Sequence, residues 1–489
     1  MILFLLSAFL LIAIFPNFNW TWLAPIALAP MLVACARTTS WRRRFLFGWL
    51  AGFIFWFGVC VWIEYVLEVH GGLGFWLGWL TFLLFAALKG LHMAAFAALA
   101  GWLMPRAWAI PAVAALWAGL ERTHGPLGFA WLQLGNAGID MPLPMRAAPV
   151  LGVFGLSFIF AMTACALALL VLRRRRVELA WLLVLPLLFA LPAQPPPQAG
   201  DQRALLVQPN IDPEMEWSPA ALMREERDLS ILSHSSNGSL IIWPEAPAPF
   251  YPSDAAFREY VAALARAEHA YLLFGGVGYN PDRQPLNSAF LFSPDGEMLG
   301  RYDKINLVPF GEFVPKVFFW VNRITKEAGD FAPGTRIVEF PVDHHKLGAF
   351  ICYESAFPDF VRQFARGGAE VLVNISNDGY FGHSAAREQH LELVRMRAAE
   401  NRRWILRATN DGITATADPA GRIRYRMPPY REMAGEVTYQ FESTLTPYTR
   451  YGDWFAWSCL AAGLACVLLA WRRNTPEAPP AAGEIRVGK

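Results

Sequence analysis

Long apolar runs at both ends of the chain constrain its fold more than any other feature of the sequence. A membrane-spanning helix needs about 20 mostly apolar residues, because its backbone must satisfy its own hydrogen bonds across the hydrocarbon. Such runs fill residues 1 to 192 and return at 451–471. Hydrophobic residues make up 55% of the 489 residues, which is more than an ordinary soluble protein contains, so membrane helices are predicted.

Eight apolar segments are candidate membrane helices by this length rule, although several are short. Residues 122–145 contain Pro126, Gly128 and Pro142 and are predicted to form an irregular arm. The first segment lacks the basic start and the cleavage site of a signal peptide, so it is counted as a helix. The candidates are 1–15, 20–36, 45–66, 75–104 (one long or broken helix), 107–120, 150–172, 179–191 and 454–471.

Clusters of arginine predict which side of the membrane each loop faces. Arg37 and 42–44 follow the second segment, Arg106 follows the fourth, 173–176 follow the sixth and 472–473 follow the eighth. All four clusters follow even-numbered segments, so the positive-inside rule places them in the cytoplasm. The domain that follows the seventh segment is therefore predicted to lie outside the cytoplasm. An error in the segment count would break this argument.

These patterns divide the chain into four predicted parts. Residues 1–195 hold seven membrane helices, 196–450 form an extramembrane domain, 451–473 form a closing membrane helix and 474–489 form a cytoplasmic tail. The formal net charge is only +2, so nothing favours nucleic acid as a partner.

Short apolar runs alternate with amphipathic patterns between the membrane segments, which predicts a layered α/β domain. The fold class is therefore a bundle of about eight membrane helices plus an α/β domain. The predicted strands are 203–208, 239–243, 271–275, 347–352 and 370–375, with two more in 288–302 around the turn SPDGE; the predicted helices are 220–233, 255–269, 357–365 and 384–401.

Three polar residues follow predicted strands, at the strand ends where α/β folds place their chemistry. Glu245 lies in IIWPEAP, Lys304 is the lysine of YDKINLVPFGEFVP, and Cys352 lies in ICYES. Cys352 is also the only one of six cysteines outside the apolar runs. A Glu can take a thiol proton, a Lys can stabilise thiolate and oxyanion, and a Cys can hold an acyl group as a thioester. Together they form a complete set for acyl transfer.

Each residue taken singly also has an ordinary interpretation. A glutamate at a strand end is most often solvated or paired, a lysine in a polar turn is usually at the surface, and a lone cysteine is usually a packing residue. The sequence distances between them are too long for a local motif.

The stretches WPEAP, YDKINLVPFGEFVP and ICYESAFP resemble the three signatures of the nitrilase, or carbon–nitrogen hydrolase, superfamily. With the apolar segments and the strings WLQLGNAG, NISNDGYFG and RMRAAENRRWILRATNDGITA, the chain resembles the apolipoprotein N-acyltransferase family, the membrane-embedded branch, over nearly its whole length. The resemblance implies a nitrilase-like sandwich as the catalytic domain. It also implies a multi-pass protein of the bacterial inner membrane whose catalytic domain faces the periplasm.

The resemblance also implies residue roles. Glu245 matches the general base, Lys304 the oxyanion-stabilising lysine and Cys352 the nucleophile. The stretch NDGYFG places Gly379 and Tyr380 where the family has a small residue and Trp, a departure that bears on lipid contacts. The implied supporting or substrate-binding residues are Glu312, Tyr353, Glu354 and Trp217.

The implied reaction has two steps at the membrane surface. The nucleophile takes an acyl chain from a phospholipid, typically phosphatidylethanolamine, and passes it to the α-amino group of the S-diacylglyceryl-cysteine that begins an apolipoprotein. No cofactor and no metal are implied. The histidine pairs His344–His345 and His383/His390 lack a tight ligand pattern and are interpreted as surface or helix residues.

Two other functions remain open from the residues alone. A membrane-tethered amidase or hydrolase would share the Glu–Lys–Cys set but would not explain so large a bundle. A transporter with an accessory domain would use Lys89, His92, Glu64 and Glu68 as a polar pathway. Glu64 and Glu68 fall near the end of a segment, where interfacial exposure is the simpler interpretation.

Overall fold

A helical bundle and an α/β sandwich together form the protein, as the sequence predicts. The predicted tail 474–489 and Arg473 lie outside the described residues. The computed structural model describes residues 1–126, 128–197, 199–234, 239–309, 311–313 and 331–472.

Each of the eight predicted apolar segments contains helical structure. Residues 75–104 form one continuous helix of 30 residues, α5, rather than a broken one. The backbones of α3 and α5 touch at Gly52 and Gly90, where the missing side chains permit the approach. The helices are α1 (Ile2–Ala13), α2 (Ala29–Arg37), α3 (Trp41–Cys60), α4 (Trp62–Tyr65), α5 (Gly74–Leu103), α6 (Ala109–Arg122), α7 (Ala148–Leu151) and α8 (Val153–Val171), followed by a 3₁₀ helix (Arg176–Ala190).

Four helices in the described part of the chain are long and apolar enough to cross a membrane: α3, α5, α8 and the C-terminal helix Trp454–Arg472. The second predicted segment is interrupted, since Pro25 lies in a stretch of turns before α2, while Pro30 lies in the first turn of α2, where proline is tolerated. The seventh is a 3₁₀ helix of 15 residues that contains Pro186. The count of eight spans stays a prediction.

In its described residues, the extramembrane domain contains twelve strands and five α-helices. All of the predicted strands and helices are present, with boundaries shifted by a few residues. The strands are β1 (Gln202–Gln208), β2 (Leu240–Ile242), β3 (Tyr271–Tyr279), β4 (Pro285–Phe292), β5 (Met298–Asp303), β6 (Glu339–Val342), β7 (His345–Ile351), β8 (Val371–Ser376), β9 (Ile405–Thr409), β10 (Ala415–Ala417), β11 (Ile423–Arg426) and β12 (Met433–Tyr439). The helices are α9 (Pro219–Leu232), α10 (Ala255–Glu268), α11 (Pro358–Arg366), α12 (Ala386–Asn401) and α13 (Pro447–Tyr451), and α14 is the C-terminal helix already given.

Two six-stranded sheets pack face to face. Their strand orders are β12-β1-β2-β3-β4-β5 and β11-β10-β9-β8-β7-β6. In β1 the side chains alternate: Ala204 and Leu206 join the core between the sheets, while Leu205 and Val207 pack under α9 and α10. Within the sheets, β1, β2 and β3 run parallel, as do β7, β8 and β9. Strand β5 has the same direction as β3, because β4 lies antiparallel between them. The carboxyl ends of β2, β5 and β7 bring the predicted site residues together.

Candidate active site

Three predicted site residues meet where β2, β5 and β7 end. The Lys304 ammonium lies 3.0 Å from Oε1 of Glu245 and 2.9 Å from Oε1 of Glu312. The Cys352 thiol lies in the electrostatic field of both Glu245 and Lys304. All three predicted catalytic side chains are buried. The fold therefore unites residues that are far apart in the chain.

Asn287, on β4, holds the two carboxylates in place, and the sequence analysis missed it. Its Nδ2 donates to Oε1 of Glu245 at 2.7 Å and to Oε1 of Glu312 at 2.6 Å. The backbone carbonyl oxygen of Asn287 also accepts from the backbone N–H of Lys304 at 2.8 Å. The only signal in the sequence was one amide among the apolar residues of a strand, which is too common to identify a site.

The carboxylate of Glu245 is oriented from both sides. Oε1 accepts from Lys304 and Asn287, and Oε2 accepts from the backbone N–H of Asn377 at 2.9 Å. A carboxylate oxygen can accept two hydrogen bonds, so Oε2 keeps capacity for one further proton donor. Glu245 is thus equipped to accept a proton without losing its present contacts.

Cys352 occupies a strained position at the start of a 3₁₀ turn, Cys352–Ala356. Its φ of +50° is in the left-handed region, which a residue with a Cβ adopts only when its surroundings impose it. Burial raises the pKa of the Cys352 thiol, Glu245 raises it further, and Lys304 opposes both. The resting thiol therefore stays protonated at neutral pH, and a base must take its proton during reaction.

Lys304 remains a cation inside the protein. Burial alone would lower the pKa of its ammonium, but Glu245 and Glu312 raise that pKa well above the usual value. In the described part of the chain, Nζ of Lys304 donates to Glu245 and Glu312. An ammonium has three N–H donors, so the third can bind a developing oxyanion.

Glu354 joins the turn that begins at Cys352 to the segment that follows Lys304. Its side chain is fully buried and accepts four hydrogen bonds. Burial raises the pKa of Glu354 and the hydrogen bonds lower it, so that the pKa is about 7. Because the donors come from both segments, Glu354 fixes the separation of the Cys352 and Lys304 backbones. The donors are the Tyr302 hydroxyl (2.7 Å) and the backbone N–H groups of Ile305 (2.8 Å), Asn306 (3.1 Å) and Ile351 (2.8 Å).

Tyr353 connects the turn that begins at Cys352 to the predicted arm 122–145. Its hydroxyl donates to the backbone carbonyl of Gly128 at 3.0 Å, and its ring stacks on Trp131 with centroids 6.3 Å apart. The arm is irregular as predicted, with short 3₁₀ turns. The residue after Cys352 thus contacts a segment that links two helices of the bundle.

Tyr380 also connects the α/β domain to the helical bundle. Its ring contacts His70, which follows α4, at a centroid distance of 4.5 Å. The residue is 44% exposed, but burial at its hydroxyl end, followed by the charges of Glu245 and Glu312, raises the pKa of Tyr380 to about 12. The tyrosine that departs from the family pattern therefore faces the candidate site.

Trp217 is the one predicted site residue that the fold keeps apart from the others. It lies on the loop before α9, is 36% exposed, and makes no aromatic ring contact or hydrogen bond within the described part of the chain. Its role in substrate contact stays a prediction.

His390 agrees with one of its two interpretations, as a helix residue, but not with the other, as a surface residue. It does lie on a helix, α12, but its side chain is 0% exposed. It reaches the carbonyl of Cys352, and its other ring nitrogen lies 3.0 Å from Asp378. The helix has polar residues on every side, so its sequence alone did not show which of them face inward.

Two family models match the chain. The model described as carbon-nitrogen hydrolase matches residues 203–439, and the model described as apolipoprotein N-acyltransferase N-terminal domain matches residues 7–166. The first range contains the whole cluster around Lys304, and the second contains most of the membrane helices.

Curated relatives match over nearly the whole chain. An apolipoprotein N-acyltransferase of Geobacter metallireducens is 33% identical and covers 96% of this chain and 95% of its own length. One of Azotobacter vinelandii is 35% identical and covers 91% of this chain and 89% of its own. Among solved structures, an amidase from Nesterenkonia sp. is 19% identical, covers 50% of this chain and 93% of its own, and has a TM-score of 0.38.

Proposed function

Because the chain belongs to the apolipoprotein N-acyltransferase family, we propose that it transfers an acyl chain from a phospholipid to the N-terminus of apolipoproteins. The acceptor is the α-amino group of an S-diacylglyceryl-cysteine. The observation that carries the proposal is the position of the Lys304–Glu245 ion pair and Cys352, buried where the α/β domain meets the membrane helices. Both substrates are lipids, so a site against the bilayer raises their local concentration.

In the first step, Glu245 accepts the thiol proton as Sγ of Cys352 attacks the ester carbonyl of the phospholipid. Lys304 stabilises the negative charge that develops on the carbonyl oxygen. The C–O bond of the ester then breaks, and the proton on Glu245 passes to the leaving alkoxide. The products are an acyl thioester on Cys352 and a lysophospholipid.

In the second step, the α-amine of the apolipoprotein attacks the thioester. Glu245 takes a proton from the attacking amine, and Lys304 again stabilises the oxyanion. The C–S bond breaks, and the proton returns to the thiolate of Cys352. An amide-linked third acyl chain results, and the enzyme regains its starting state.

The donor we propose is phosphatidylethanolamine, and the site lies in the bacterial inner membrane with residues 196–450 on the periplasmic side. The four long apolar helices support a membrane location. The arginine clusters support the orientation.

The experiment that separates transfer from hydrolysis uses two substrates in turn. With phospholipid alone, we expect about one lysophospholipid per enzyme and an acyl adduct on Cys352, because the thioester waits for an amine. A peptide that begins with diacylglyceryl-cysteine should discharge the adduct and restore turnover, and mass spectrometry follows both products. The same peptide with its α-amine acetylated is the matched control and should leave the adduct intact. Continuous release of fatty acid at the same rate without the peptide would instead establish a membrane-tethered hydrolase.

Reporter fusions test the orientation. A reporter that is active only in the periplasm should be active when fused near Gly200 and silent when fused after Arg473, because the arginine clusters keep their loops in the cytoplasm. A fusion after Arg173–Arg176 should also be silent and serves as an internal control. The reverse pattern would show that the domain faces the cytoplasm.

A further inference from the structure

Helix α12 places two fully buried polar side chains, Gln389 and His390, between the nucleophile and the membrane helices. Fully buried polar groups are costly unless they are hydrogen-bonded. Neither residue has a part in the two chemical steps above, yet each makes several specific hydrogen bonds.

His390 holds the backbone of the nucleophile. Its Nε2 donates to the carbonyl oxygen of Cys352 at 3.0 Å. On the other side, Nδ1 lies 3.0 Å from Oδ1 of Asp378, whose Oδ2 pairs with Arg407 at 2.6 Å. Asp378 and Arg407 are buried, so the ring of His390 is fixed at both ends. The residue that it holds, Cys352, has the positive φ that its surroundings must impose.

Gln389 holds the membrane helices. Its Oε1 accepts from the indole N–H groups of Trp62 at 3.2 Å and Trp131 at 2.8 Å. Its Nε2 donates to the carbonyl oxygens of Pro16 at 3.1 Å and Val59 at 3.0 Å. A side-chain amide has two donor hydrogens and two acceptor lone pairs, so its capacity is completely used. One side chain thus joins the region after α1, the end of α3, α4 and the arm.

We propose that His390 is a positioning residue for Cys352, and that Gln389 couples this position to the docking of the catalytic domain on the membrane helices. The two residues are consecutive on one rigid helix, so a displacement of the docking contacts displaces the support of the nucleophile. The inference rests on the proposed function, in which Cys352 attacks the phospholipid ester.

Two amide substitutions that differ by one methylene separate the role of the Cys352 contact from the loss of the imidazole ring. In His390→Gln, the amide nitrogen reaches the place of Nε2 and can donate to the Cys352 carbonyl. In His390→Asn, the amide nitrogen reaches only the place of Nδ1, so the contact with Asp378 remains and the contact with Cys352 is lost. We expect His390→Asn to slow acylation of Cys352 by ~10- to 100-fold and His390→Gln by less than ~3-fold, since small displacements of reacting groups have effects of this size.

Rapid-quench mass spectrometry of acyl-Cys352, over a range of phospholipid concentrations, gives the rate constant and the apparent KM. The rate constant should fall while the KM changes little, because His390 touches the nucleophile and not the lipid. Equal acylation rates in the two variants, with wild type active in parallel, would overturn the role of His390. Failure of the wild-type chain to form the adduct would instead refute the proposed function.

The coupling through Gln389 has its own matched pair, which also applies if the His390 variants do not fold. Trp62→Phe keeps an aromatic ring but removes one hydrogen bond to Gln389. Trp49→Phe removes a hydrogen bond of the same kind, from Trp49 to the carbonyl of Ala87 at 2.9 Å, elsewhere in the membrane helices. We expect Trp62→Phe to slow acylation by ~3- to 10-fold, the size of one lost hydrogen bond, while Trp49→Phe stays near wild type. Equal rates in this pair would overturn the coupling.

Discussion

Replacing Cys352 with alanine should abolish the acyl adduct and the release of lysophospholipid, while the protein still folds. Alanine occupies less space in a buried position, and it removes the only thiol in residues 196–450. The thioester has no other place to form, so no part of the two-step reaction survives. Mass spectrometry after exposure to phospholipid, together with thermal unfolding, measures both properties.

A serine at the same position refines this prediction. The hydroxyl of Cys352→Ser has a much higher pKa than a thiol and depends more on Glu245, so we expect a first step slowed by at least ~10²-fold. Cys466→Ala is the matched control, since this partly buried cysteine lies in α14, away from the cluster. An acyl adduct that persists in Cys352→Ala would place the nucleophile elsewhere and refute the mechanism.

Replacing Lys304 with methionine should have the next largest effect. Methionine keeps much of the length of the side chain but leaves Glu245 and Glu312 facing each other, with only Asn287 between them. Loss of charge stabilisation at the oxyanion should slow acylation by at least ~10²-fold. The uncompensated buried carboxylates should also lower the free energy of unfolding by about 3 kcal/mol, the scale measured when one partner of a buried ion pair is removed.

A second variant separates these two effects. In Lys304→Met combined with Glu312→Gln, one carboxylate of the repelling pair becomes neutral, so most of the lost stability should return while acylation stays slow. Lys346→Met is the control, because Lys346 is an exposed lysine on β7. Recovery of acylation together with stability in the double variant would show that Lys304 acts only as a structural counterion.

The strands and helices of the catalytic domain could be predicted because each depends on a local pattern. The run 347–352 is apolar throughout and becomes the buried strand β7 with Cys352 just beyond its end. The run 370–375 likewise becomes β8. In the membrane part, the same approach located every apolar segment but not its regularity. Pro25 interrupts the second segment, and its effect depends on the turns that replace the lost backbone hydrogen bonds.

The supporting residues of the candidate site could not be predicted in this way. Asn287 and His390 carry no local signal, since a lone amide in a strand and a histidine on a polar helix are common. Glu354 was included through the family resemblance alone, and its four hydrogen bonds to the two catalytic segments are visible only in the fold. Such contacts depend on which backbone N–H groups are brought near, which no periodicity in the sequence encodes.

By itself, the sequence determined the long apolar segments, the alternation of strands and helices, and the order of Glu245, Lys304 and Cys352. The segments and their alternation follow from hydrophobic periods and segment lengths, which act over a few residues at a time. The three residues were selected by their positions after predicted strands and by the family resemblance. The tertiary structure decided which side chains meet. Lys304 and Glu245 are 59 positions apart, and Gln389 reaches a carbonyl 330 positions away. Contacts across such distances arise only when the two sheets and the helical bundle pack together, because that packing fixes the relative positions of segments that have no local relation.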